Sequence, residues 1–157
     1  FTFTSLLNLE ARGVKAADVA VMPFADNGVK LYGNAIIASA KLVRENPEAV
    51  RAFLKAFSKG AKEVMANPGS AIAYVKERDG IVNTALETRR LQLAIDTVIN
   101  TADARGEGFG QVSPTRMALM ASQISDVYAT KTRVNPETLW NGRFLPPVAD
   151  LDVFPKK

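Results

Sequence analysis

Residues 19–39 read VAVMPFADNGVKLYGNAIIAS, and they set a polar insert, ADNGVKLYGN at 25–34, between two short apolar runs. A tight hairpin needs two turn residues, and ten stand here. An ordinary surface loop does not usually carry Leu31 and Tyr32 between its polar groups. The pattern is that of a chain leaving one core, passing a wet or ligand-facing edge, and entering another. Asp26 offers an acidic acceptor, Asn27 and Asn34 offer amides, and Tyr32 offers an aromatic face with a hydroxyl. Such groups orient a small molecule in a mostly apolar pocket. Two turns explain the same residues equally well, with Asn27-Gly28 and Gly33-Asn34 supplying positive-φ positions.

The flanks read as strands. Asp18 to Phe24 sets Val19 and Val21 on one face, with Pro23 near the end, where a missing N–H does least harm. Ala35-Ile36-Ile37-Ala38 is wholly apolar, as a strand buried on both faces is. Phe1 to Thr4 alternates apolar and polar, a third strand pattern. A short helix follows, with Ser5 as N-cap, Gly13 just past its end, and Leu6, Leu7 and Leu9 inward.

Beyond Glu45 the chain turns helical. Asn46-Pro47, Asn67-Pro68, Ser113-Pro114 and Asn135-Pro136 repeat one start signal, a capping oxygen followed by a proline whose absent donor had no partner to lose. The first helix is expected over 47–66, its buried stripe formed by Val50, Phe53, Leu54, Phe57, Ala61, Val64 and Met65. Arg51, Lys55, Lys59 and Lys62 fall largely outside that stripe. Further helices are expected at 68–78 with Ile72 and Val75 inward, at 86–100 with Leu91, Ile95 and Val98, and at 114–129 with Met117, Met120, Ile124 and Val127. Residues 104–111, ARGEGFGQ, read as an exposed loop, 136–140 as one short turn, and the tail PPVADLDVFPKK as extended.

Composition bounds the function. The 157 residues, 47% apolar and 23% charged, suffice for a folded domain with a real core. Neither cysteine nor histidine occurs, so there is no disulfide scaffold or thiol nucleophile, and metal sites lose their commonest ligand. No metal site, catalytic residue or cofactor is expected. The net charge of +4 comes from scattered Lys and Arg, without the clustered patch of a nucleic-acid interface, so no nucleic-acid partner is expected. GEGFG at 106–110 lacks the spacing of a phosphate-binding loop. Glu45, Glu48 and Glu63 sit where solvation or the helix dipole accounts for them. Arg116, Arg133 and Arg143 have the chemistry to hold an anion, and each reads first as a surface residue.

Together, ADVAVMPFADNGVKLYGNAIIAS and ENPEAVRAFLKAFSKGAKEVMANPGSAIAYV resemble the C-terminal half of the substrate-binding proteins of ABC importers. The branch is the nitrate/sulfonate/taurine and thiamine-pyrimidine-precursor, or NMT1-like, type. Its members carry a strand, a polar D-x-G segment, a Y-G-N-like stretch, an apolar strand and an N-P-E-x-V-R-x-F-L helix. The resemblance implies an α/β fold, periplasmic-binding-protein-like of type II, with two lobes joined by crossing strands and a ligand between them. It implies that residues 1–25 belong to the second lobe as strand-helix-strand, 26–34 form a hinge crossing, and 35–157 complete the first lobe. Members are longer, so an N-terminal half of the same protein is expected to be missing. The implied function is capture of a small solute without catalysis, read by an ABC permease at the membrane. The implied place is the periplasm, or an extracytoplasmic lipid-anchored position. Asp26 would accept from a ligand N–H, Tyr32 would stack or donate, and Asn27 and Asn34 would make amide contacts or fix the hinge. A donor-bearing heterocycle such as a thiamine-pyrimidine precursor suits Asp26 better than a sulfonate does. Two alternatives stand beside this. One is a thiamine-pyrimidine-synthase-like enzyme of the same fold, whose chemistry depends on His and Cys. The other is a helical interaction module with no pocket.

Overall fold

The computed structural model describes residues 1–156. It contains α1 (Thr2–Ala11), α2 (Ala40–Glu45), α3 (Pro47–Ala66), α4 (Pro68–Arg78), α5 (Thr84–Ala94), α6 (Ala102–Glu107), α7 (Pro114–Val127) and α8 (Val148–Leu151). Single 3-10 turns lie at Ala16–Asp18, Ala25–Asn27, Pro136–Thr138 and Gly142–Phe144, and a π turn at Ile95–Ile99 prolongs α5. Helix α5 packs against α1 and α4, α4 lies on α3, and α3 also meets α8 and the 142–144 turn.

The repeated start signal works as its chemistry requires. The side-chain oxygens of Asn46, Asn67 and Ser113 accept from the N–H groups of Ala49, Ser70 and Arg116, and Asn135 caps its short turn through Glu137. The bounds of α3 and α4 fall where the capping prolines put them. Asn83 and Thr101 cap α5 and α6 without a proline, so α5 starts two residues before the sequence reading places it.

The α/β expectation is corrected, because no strand occurs among the described residues. Phe1 to Thr4 is instead the start of α1, with the Thr4 and Ser5 N–H groups on the Phe1 carbonyl at 3.1 and 2.9 Å. This end is tied to α5, where Arg90 donates to the Phe3 carbonyl at 2.9 Å and Arg89 meets Glu10 at 2.7 Å. Residues 19–24 and 35–38 have strand-like composition but no ladder partner. A strand exists only through backbone bonds to a neighbour, so these segments form none. Ile37, expected to be buried on both faces, is 93% exposed.

The core also differs from expectation. Leu151, Val153 and Phe154, in a tail read as extended, are buried. Val153 and Phe154 form one cluster with Met65 of α3 and Ile95 of the π turn, flanked by Ala61, Leu91, Ile99, Ala104 and Phe109. The loop expected at 104–111 is partly helix, and Gly108 is buried. Its φ of 108° suits glycine, and a Cβ there would stand 3.0 Å from the Leu151 Cβ. The Phe109 N–H donates to the Leu151 carbonyl at 3.0 Å, locking this turn to the tail. Ile72, Ile95 and Met117 are buried as their spacing requires. The stripe on α3 is covered only in part. Met65 is buried, while Phe53 and Phe57 stack on each other at 6.3 Å and remain largely exposed. Val75, Val98 and Val127, expected inward, are exposed too.

Candidate functional site

The insert opens on the 3-10 turn Ala25–Asn27. The Asn27 N–H donates to the Phe24 carbonyl at 3.1 Å, and the Asn27 side-chain amide donates to the Pro23 carbonyl at 2.9 Å. Gly28, at φ 84°, then turns the chain, and the Val29 N–H returns to the Phe24 carbonyl at 2.9 Å. Asn27 thus closes its own turn. The Asp26 N–H donates to the Pro23 carbonyl at 3.2 Å, while its carboxylate, on an exposed residue, has no hydrogen-bond or ion-pair partner among the described residues.

The next residues form a strap on α7. Gln123 donates its side-chain amide to the Gly28 carbonyl at 3.1 Å. The Arg116 guanidinium donates to the carbonyls of Lys30 at 3.0 Å and Leu31 at 2.9 Å, and to Asp103 of α6 at 2.7 Å. The same group lies over the Tyr32 ring, 4.3 Å from its centroid, a cation–π contact. The Tyr32 hydroxyl accepts from the Ser113 N–H at 2.8 Å, and the Tyr32 N–H points to the Met120 sulfur at 3.3 Å. Ser113 therefore holds two positions at once, capping α7 through its oxygen and fixing Tyr32 through its N–H. Asn34 lies past the strap, exposed, with no side-chain partner among the described residues.

The four residues singled out by sequence are separated in role. Asp26 and Asn27 share one turn, Tyr32 is pinned to α7, and Asn34 projects alone. No side-chain hydrogen bond joins any two of them. The Tyr32 hydroxyl, having accepted from Ser113, still holds a proton to donate.

Sequence reading missed Arg116, which it placed at the surface. A signal existed, because a cation in the first turn of a helix opposes the macrodipole. That local cost points to a tertiary partner, here three acceptors and an aromatic ring. Arg133 pairs with Asp126 at 2.6 Å on an exposed face, as a surface residue does. Arg143 stacks on Phe144, 4.7 Å from its centroid.

Residues 1–71 match the family model described as NMT1/THI5 like, a match confined to the first part of the chain. No curated protein and no solved structure matches the chain.

Proposed function

We propose that the chain serves as the solute-binding component of an ABC importer, capturing a small nutrient between two lobes and presenting the closed form to a membrane permease. The observation that carries this reading is the family match, whose residues 1–71 include the whole insert. The solute is a thiamine-pyrimidine precursor or a similar donor-bearing heterocycle, with a sulfonate-like solute second. Asp26, exposed and with its carboxylate unpartnered, accepts from the ligand's amino or ring N–H. Tyr32 offers the ring face opposite Arg116 and its hydroxyl proton. Asn34 supplies an amide contact, while Asn27 holds the turn that aims Asp26. The protein is not an enzyme, and it works in the periplasm or at an extracytoplasmic lipid anchor. Closure follows from tighter ligand binding to the closed state.

Calorimetric titration of the protein with an aminopyrimidine tests this. Asp26→Ala is expected to weaken binding roughly tenfold or more, since a charge-assisted hydrogen bond contributes about 1.5–3 kcal/mol. Unchanged affinity removes Asp26 from the site. The lack of strand among the described residues favours one second reading, a helical interaction module. Far-UV circular dichroism separates them, because the importer reading requires strand signal in the protein and the module does not.

A further inference from the structure

Helix α3 carries Arg51, Lys55, Lys59 and Lys62 along one edge, and the edge runs beside the C-terminal segment. Two recesses open along this seam. One, of about 350 Å³, is lined by Glu48, Arg51, Lys55 and the run Phe144, Leu145, Pro146, Pro147. The other, of about 210 Å³, is lined by Lys62, Asp152, Phe154 and Lys156, among others. Arg51 is engaged, with Glu48 at 3.4 Å and the Arg143 carbonyl as partners, and its guanidinium stands 5.1 Å from the Phe144 ring centroid. Lys55, Lys59, Lys62 and Arg143 have no carboxylate within ion-pair distance among the described residues. The carboxylates lining the recesses are Glu48, held by Arg51, and Asp152, which shares its recess with Lys62 and Lys156. Positive charge therefore prevails along both recesses.

We propose that this seam docks an extended acidic peptide segment of a partner protein, its carboxylates on Lys55 and Lys62 and an apolar side chain against Leu145–Pro147. Charge complementarity selects an anionic partner. Lys55 shares its recess with the apolar wall Leu145–Pro147, a pairing that suits a peptide carrying both carboxylates and apolar side chains. Pro146 and Pro147 have no N–H, so that wall offers apolar contact and leaves polar recognition to the cations. The lengths also agree. Lys55 to Lys62 spans about 10 Å at the helical rise, which about three residues of extended chain cover.

The test is fluorescence anisotropy of the full chain with a labelled short peptide of alternating Glu and Leu, beside a control in which Gln replaces Glu. The Glu peptide is expected to bind, and to bind more weakly as salt rises. The double variant Lys55→Glu/Lys62→Glu is expected to lose roughly tenfold or more in affinity, about 1.4 kcal/mol. Lys15→Glu/Lys131→Glu, a reversal at exposed sites elsewhere, is expected to leave it unchanged. Matching thermal melts by circular dichroism establish that both variants fold. Equal binding of the two peptides overturns the proposal, and so does an equal loss in the control reversal. Capture by phosphatidylglycerol–phosphatidylcholine vesicles without capture of the peptide also overturns it, and assigns the seam to a membrane.

Discussion

Arg116 shows how one side chain sets the place of a segment far off in sequence. It closes two backbone carbonyls, one carboxylate and one ring at once. Arg116→Ala is expected to destabilise the fold by about 2 kcal/mol, read as a lower urea midpoint. Arg116→Lys should recover little of that, because a single ammonium does not reproduce the planar fork. At the buried turn, Gly108→Ala is expected to cost roughly 1–3 kcal/mol, since the new Cβ meets Leu151 and the φ is strained; thermal unfolding reads it. Tyr32 was legible as a chemically rich residue. Its partners were not, because Ser113 and Met120 lie 81 and 88 positions away, and no local pattern carries such a pairing.

Among the elements, helices were legible because their signals are local. A capping oxygen, a proline and a 3.6-residue period lie within one window of chain, and α3, α4 and α7 start where those signals stand. Ser113→Ala is expected to cost about 1 kcal/mol through the lost cap, while leaving the Ser113 N–H on Tyr32 intact, so the loss should be cooperative with α7 and not with the strap. Amide exchange along α7 and across residues 28–32 distinguishes the two. Strands were misread because a strand is a property of pairs of segments. Residues 35–38 carry the composition of one and lack the neighbour. The tail was misread for a different reason. Leu151 and Val153 alternate with Asp150 and Asp152, a period that was available and that marks a half-buried segment.

The whole molecule leaves much apolar surface in water. Met22 is 82% exposed, Phe24 75%, Ile37 93% and Ile81 95%. Exposure of large apolar side chains on this scale is an association hazard. The isolated chain is therefore expected to self-associate in sedimentation velocity, whereas a monodisperse 17.0 kDa species with sharp cooperative unfolding contradicts this. The architecture was the least legible level. Its centre is a tail packed on α3 and the π turn, an arrangement set by contacts between distant segments.

The run at 33–39, outside any helix or ladder, has a consequence for enzymatic cleavage. Its small residues, Ala35 and Ala38, suit an elastase-type protease, and no ladder shields their peptide bonds. A cut there would sever the first part of the chain from the rest. The severed piece would still be held by Arg116 and Ser113 at its end, and by Arg89 and Arg90 at α1. The nicked protein would travel as one particle through a sizing column and part into two bands only under denaturant.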